Sequence, residues 1–231
     1  MRIAWAITGA GHLLEESVKL LEKISQKHEV TVFLSGAGQD VLKMYGLYNK
    51  ITNITGGRYR ELTTDQTQKY GYPITGRLSL GKYDLLIVSP TTANTVAKIV
   101  YGISDTLVTN AVAQAGKGHV KTIIIPVDFE LEDVDTILPA KIELNKCQKC
   151  QICPPTQQCP NNAIIQNQEI DLQKCIGCGV CEKLCQYNAI TSGKIITIHM
   201  RPIDIENTRK LEKMPNITVH KQPTEILKYI K

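Results

Sequence analysis

The sequence predicts an α/β protein: a doubly wound parallel sheet into which a small cysteine-rich α+β unit is inserted. Three observations carry that expectation. Short, continuously apolar runs alternate with stretches of helical period, the mark of a parallel sheet covered on both faces. Three of those runs end in Gly, Ser or Thr immediately before a helix. All eight cysteines of the 231-residue chain lie between Cys147 and Cys185.

Taken in order, "RIAWAITG" reads as a buried strand ending at Thr8-Gly9. A helix follows, with Leu14, Val18, Leu21 and Ile24 on one face and Glu15 and Glu16 near its positive end. "EVTVFLSGAG" is the second strand, ending at Ser35-Gly36, with helix expected from Gln39 to Tyr45. "YDLLIVSPTTANTVAKIVYGISD" gives a third strand and helix: Leu85 to Val88 are continuously apolar, and Val96, Ile99, Val100 and Ile103 have helical spacing. "VKTIIIPVD" is a fourth strand. Residues 50–80 show no period and are expected to be mostly loop.

The turns Thr8-Gly9-Ala10-Gly11, Ser35-Gly36-Ala37-Gly38 and Ser89-Pro90-Thr91-Thr92 fall at the carboxyl ends of parallel strands. In an open α/β sheet those ends form the ligand crevice, and helix N-termini with small hydroxyl residues suit a phosphate. Ordinary helix capping accounts for any one such turn; three that converge favour a phosphate ligand. A complete dinucleotide fingerprint or Walker lysine motif is absent from these turns.

Composition narrows the function classes. The chain is 42% hydrophobic, enough for a sizeable core. Its net charge of +5 comes from 27 basic and 22 acidic residues interspersed without a basic block, and it has two Phe and one Trp. Those features argue against a nucleic-acid partner. The opening segment lacks the apolar region of a signal peptide, and no run approaches a membrane span. A cytoplasmic protein with no membrane partner is expected, in which clustered cysteines are metal ligands rather than disulfides.

The second cysteine run, Cys175-x2-Cys178-x2-Cys181-x3-Cys185, has the bacterial ferredoxin spacing, in which the fourth Cys ligates the other cluster. Gly177 and Gly179 allow the backbone to curl around the sulfurs. The first run, Cys147-x2-Cys150-x2-Cys153-x5-Cys159, has a last gap two residues longer that holds Pro154-Pro155. "CPNNAI" and "CQYNAI" follow the two runs at a separation of 26 residues, as a duplicated ferredoxin would leave them. Crossing the fourth ligands gives one [4Fe–4S] cluster on Cys147, Cys150, Cys153 and Cys185, and another on Cys175, Cys178, Cys181 and Cys159. Two zinc sites are the competing reading. Structural zinc uses separated C-x2-C pairs rather than triplets.

"PTTANTVAKIVYGISDTLVTNA" closely resembles the P-x-x-A-N-T…A-K…G-I-x-D-x-L signature of a flavoprotein superfamily. That superfamily includes the Cys-decarboxylase-type flavoproteins, the archaeoflavoproteins and the archaeal dihydromethanopterin reductases. Pro90, Ala93, Asn94, Thr95, Lys98, Gly102, Asp105 and Leu107 match it. The resemblance implies a Rossmann-like FMN domain made of residues 1–144 and 194–231, with the ferredoxin unit at 145–193. It places FMN on Thr8, Gly9, Ala10, Gly11, His12, Ser35, Gly36, Ser89, Pro90, Thr91, Thr92, Ala93, Asn94, Thr95, Lys98 and Asp105. It also implies a homo-oligomer built from trimers. The decarboxylase branch carries P-x-M-N-x-x-M-W where this chain reads "IPVDFELEDVD", so decarboxylation is not expected.

What remains is a two-electron flavin reaction. Clusters pass single electrons and FMN pairs them into hydride. The resemblance therefore implies an oxidoreductase that takes electrons from a ferredoxin-like donor protein and reduces dihydromethanopterin or a related dihydropterin. An electron carrier without a small-molecule substrate is the alternative. The insert, with four Lys and three acidic residues, lacks the charge bias that would steer protein docking. Three further residues have open readings. His199 stands beside Arg201 and Asp204 as a strand-end ion pair or a trimer contact. Tyr101 is expected to pack, and Arg77 is an anion ligand or an ordinary surface residue. No residue is assigned as a catalytic acid.

Overall fold

The computed structural model describes residues 1–68, 74–130, 133–137, 140–172, 174–175, 178–193 and 195–230. Five strands follow the chain through its first half: β1 (Arg2–Ile7), β2 (Glu29–Leu34), β3 (Leu62–Thr64), β4 (Leu85–Thr91) and β5 (Lys121–Pro126). Six helices connect or follow them: α1 (Leu14–Ser25), α2 (Gly36–Met44), α3 (Tyr48–Ile54), α4 (Gly76–Ser79), α5 (Ala93–Val100) and α6 (Leu107–Lys117). Near the carboxyl end come α9 (Pro202–Leu211), β12 (Ile217–Val219) and a 3-10 turn over Pro223–Tyr229.

β12, β5, β4, β1, β2 and β3 stand side by side in that order, every pairing parallel. The order reverses direction between β1 and β4, so the crevice of this doubly wound sheet opens at their carboxyl ends. Alternation within each strand builds two cores. Ile3, Trp5 and Ile7 of β1 join Leu14, Val18, Leu21 and Ile24 of α1 on one face. Ala4 and Ala6 face the other side, with Leu86, Val88, Val96 and Val108. Trp5 satisfies its buried indole N–H by donating to the Ser89 carbonyl at 3.0 Å.

Three expectations are corrected and one is extended. α2 begins at Gly36 rather than Gln39, because the Ser35 hydroxyl accepts from the Gly38 amide and starts the helix there. The described part of residues 50–80 is mostly loop, as expected, but it also contributes elements that the absence of a period did not foretell: β3, an edge strand that pairs with β2, part of α3 and all of α4. α5 ends at Val100, leaving Ile103 outside it and exposed. Tyr101 is 61% exposed and receives a Lys210 hydrogen bond at 3.3 Å, so it does not pack in a core.

Between β5 and α9 the chain leaves the sheet and returns. β6 (Val134–Ile137) pairs antiparallel with β11 (Ile195–Ile198), and β7 (Lys141–Ile142) with β10 (Ile190–Thr191). The cysteine segment lies inside those pairings. It contains α7 (Pro154–Gln158), β8 (Ile164–Ile165), β9 (Glu169–Ile170) and α8 (Val180–Leu184). Its own core is small: Ala140, Ala163, Ile164, Ile170 and Ile190, with four of the cysteines packed against it.

Candidate functional site: two thiol-lined cavities and the carboxyl edge of the sheet

The two cysteine runs fold as related halves. α7 and α8 each span the five residues before the fourth cysteine of their run. In both tails the Asn after that turn is left-handed, Asn162 and Asn188 at φ 49°, and its amide donates to the carbonyl of Cys159 or Cys185. The long first gap now has a physical reading. Cys181 lies inside α8, whereas Cys153 is the residue before α7 and Pro154-Pro155 start the helix. The two additional residues displace the third cysteine out of the helix.

Eight free thiols line two cavities. Cys147, Cys150 and Cys153 frame one together with Cys185, backed by Pro154, Ile164 and Ile190. Cys175, Cys178 and Cys181 frame the other together with Cys159, backed by Ile164 and Ile170. Each cavity thus takes three thiols from one run and the fourth from the other. Among the described residues, no three His, Cys, Asp or Glu side chains converge on a single point. The thiols surround a space instead. The Ala163 amide donates to the Cys159 sulfur at 3.3 Å. Burial first, and the neighbouring Cys175 second, push the Cys181 thiol up. Gathering thiolates here therefore requires a cationic group to offset their repulsion, and that donor set fits an iron–sulfur cluster. Gly179 is left-handed at φ 73° where α8 begins; Gly177 lies outside the described residues.

The three sheet turns come together as the strand order requires. Thr8 donates from its hydroxyl to the Pro90 carbonyl at 2.9 Å and accepts from the Thr92 amide at 2.8 Å. A Cβ on Gly9 would lie 2.6 Å from that of Ala37, so the first two turns also touch. Ala10 is buried beneath them, and His12 is half-buried, its pKa lowered by burial against an opposing effect from Glu16.

Several hydroxyls point away from the crevice. Ser89 meets Ser17 of α1 at 2.8 Å, and Thr91 donates to the Val88 carbonyl at 2.8 Å. Thr92 caps α5 by accepting from the Thr95 amide at 3.3 Å. Asn94 is therefore not the cap; it lies in the first turn, exposed and without a hydrogen-bond partner among the described residues. Lys98 and Asp105 pair at 2.8 Å, which holds the Asp105 carboxyl below its usual range.

Two carboxylates that sequence reasoning missed stand at this edge. Asp65 accepts from the Gly36 amide at 2.8 Å and from the Leu107 amide at 2.7 Å, joining the starts of α2 and α6. Asp128, just beyond β5, stands near the start of α5, where the Ala93 amide favours its charged form. Burial first, then the nearby Asp204, raise its pKa, opposed by Arg201. Asp204 is itself buried and held by Arg201 through two hydrogen bonds of 2.7 and 2.8 Å. No local pattern announces either carboxylate, because each reaches a helix start distant in sequence. His199 forms a strand-end pair with Asp133 at 2.6 Å. Arg77 is engaged by Glu61 at 2.7 Å and lies over the Tyr59 ring.

A dihydromethanopterin reductase (acceptor) of Methanocaldococcus jannaschii is 52% identical over 99% of this chain and 95% of its own length. The chain belongs to the dihydromethanopterin reductase (acceptor) family. A second member, from Methanosarcina mazei, is 42% identical over 98% of this chain and 97% of its own. The flavoprotein family model matches residues 1–158 and a 4Fe-4S binding domain matches residues 169–191. Among solved structures, the FMN complex of Burkholderia xenovorans DmrB, described as a cubic protein cage for redox transfer, superposes with a TM-score of 0.62. It is 25% identical and covers 98% of this chain and 91% of that one. As a member of the dihydromethanopterin reductase (acceptor) family, the chain is an iron–sulfur flavoprotein oxidoreductase.

Proposed function

We propose that this chain draws electrons from a ferredoxin-like donor protein and delivers them to a dihydropterin, dihydromethanopterin or a close relative, giving the tetrahydro form. The observation that carries this reading is the 52% identity to a reductase of that name across nearly the full length of both chains. Two [4Fe–4S] clusters are the entry carriers, one on Cys147, Cys150, Cys153 and Cys185, the other on Cys159, Cys175, Cys178 and Cys181. The crossed lining of the two cavities supports that assignment. FMN, when bound, supplies the conversion of single electrons into hydride.

The chain's own residues do the rest. The turn at residues 8–12, with Ala37 packed against Gly9 and Tyr45 against Gly11, takes the flavin's phosphate end on its backbone, flanked by Ser35 and Gly36. The Thr92–Thr95 cap fixes the start of α5, which holds Asn94 at the rim, where its amide can both donate and accept at the polar edge of the ring. The residues that bond inward, Thr8, Ser89 and Thr91, set the shape of this cradle. Residues 1–144 and 194–231 form the flavin unit and 145–193 the cluster unit, in a cytoplasmic homo-oligomer built from trimers. The relative described as a cubic cage supports assembly, and no helix among the described residues is long and apolar enough to cross a membrane.

Protein purified without oxygen should contain about eight Fe per chain, two four-iron clusters, and release FMN. With a reduced artificial donor it should convert dihydromethanopterin to the tetrahydro product. Stoichiometric zinc without iron, or no turnover across a panel of dihydropterins, would overturn the reading.

A further inference from the structure

The turn between α2 and α3 touches both halves of the molecule. Gly46 is left-handed at φ 68°, and its backbone lies so close to the cysteine segment that a Cβ would run into the Leu172 carbonyl. The same Cβ would stand 3.2 Å from the carbonyl oxygen of Cys175, a thiol of the second cavity. The residue before it, Tyr45, reaches the other way. Its hydroxyl and ring carbon Cζ occupy the space that a Cβ on Gly11 would need, in the turn between β1 and α1. The turn is firmly held: the Tyr45 amide donates to Val41 at 3.0 Å, the Leu47 amide to Leu42 at 2.8 Å, and Leu42 and Leu47 are buried in the sheet core.

We infer that Tyr45 and Gly46 are the positioning residues of the electron route, and that the cluster on Cys159, Cys175, Cys178 and Cys181 is the one that feeds the flavin. The inference rests on the proposed cofactors and adds their order. Electron transfer weakens steeply with each gap between packed atoms, so a route of contact and covalent bonds outruns one through solvent. Cys175, Gly46, Tyr45 and Gly11 supply such a sequence: a contact, a peptide link, a contact. The cavity that holds Cys147, Cys150, Cys153 and Cys185 takes its lining wholly from residues 142–190, and among the described residues no glycine contact like that of Gly46 joins those four cysteines to the sheet. Its cluster therefore meets the donor protein.

Each passage oxidises one reduced cluster by one electron and reduces the flavin by one. Two passages and two protons from solvent complete the reduced flavin. The donor protein returns each cluster to its reduced form.

Gly at this position is dictated twice, by the left-handed backbone and by the Leu172 carbonyl. Any side chain pushes the cysteine segment off the turn. The test is flash reduction of the holoprotein with a small photochemical donor, following the flavin absorbance. A concentration-independent phase reports exchange between cluster and flavin.

Gly46→Ala should slow that phase several-fold while iron content, FMN content and the concentration-dependent phase stay as in the parent. Amide exchange at residues 43–47, 171–172 and 174–175 should rise. Tyr45→Ala, which leaves the backbone turn unaltered, should slow the same phase, and Tyr45→Phe should largely restore it. Cys178→Ser should abolish the phase and Cys150→Ser should preserve it. An unchanged phase in both Gly46→Ala and Tyr45→Ala, or one lost with Cys150→Ser and kept with Cys178→Ser, would overturn the inference. Absence of iron, FMN or any such phase in the parent would instead refute the cofactor reading beneath it.

Discussion

The carboxyl edge of the sheet and the cysteine segment both present small polar side chains around a space, and they are built in opposite ways. At the sheet edge the hydroxyls of Thr8, Ser89 and Thr91 turn inward and bond the protein itself. Two large cores stand behind them. In the cysteine segment the thiols face their cavities, and five small or β-branched side chains form the centre of the core. The first region is shaped before any ligand arrives. The second depends on what its thiols hold. Proximity to a crevice is thus a poor guide to which polar atom serves the ligand; the destination of each hydrogen bond decides it.

The largest effect that would break this contrast is removal of the cysteine segment. β6 and β11 pair outside the excised stretch, so a short Gly/Ser linker can replace residues 146–192, β10 included, while that pairing still brings the two ends together. The product should lose all iron yet remain a folded, FMN-binding oligomer that a small chemical donor reduces and a ferredoxin-type donor does not. Joint loss of flavin and of cooperative unfolding would show that the sheet needs the segment. Next in size, Leu14→Ala removes a fully buried side chain under the β1 turn. It should lower stability by about 2–5 kcal/mol, measured by denaturant melting, while iron content is unchanged.

A smaller effect separates neighbours within one helix turn. Thr92→Ala should cost about 0.5–2 kcal/mol through loss of the cap. Asn94→Ala should leave the melting transition in place and lower FMN affinity or shift the flavin potential. Equal destabilisation with unaltered flavin binding would return Asn94 to a scaffold role.

Smallest is a pH effect at Asp128. Its pKa is raised in the fold by burial and Asp204. The folded chain therefore holds that proton more tightly than the unfolded chain does. The stability this contributes is fully present below the ordinary Asp value of about 3.9 and is lost as pH rises through the raised value. Asp128→Asn removes the charge. Relative to the parent, the variant should melt higher at neutral pH and lose that advantage in acid. A gain independent of pH would exclude the carboxylate charge as its cause.

Much of the sheet was legible because its central strands are apolar on both faces and flanked by helices of clear period. β1, β2, β4, β5 and α1 follow from that pattern alone. β3 escaped because Leu62-Thr63-Thr64 has no period of its own and is a strand only through its parallel pairing with β2. Ile103 misled because helical spacing continues past Val100 while the backbone turns away at Gly102, which is left-handed at φ 72°. The gathering of the eight cysteines into two crossed sets was legible from spacing, but the place of the two additional residues was not. Asp65 and Asp128 had no local signal, since their meaning lies in amides that the fold brings to them.

The late position of β12 has a consequence for how the chain is made. β5 is complete at Pro126, and its outer edge waits for Ile217–Val219. At typical synthesis speeds that interval lasts on the order of ten seconds. Throughout it the nascent sheet offers an unpaired, apolar strand edge, a template for pairing with other chains. The cysteine segment emerges within the same interval with its thiols unoccupied. Iron delivery and closure of the sheet edge therefore share one window during biogenesis, and a delay in the first lengthens the exposure of the second.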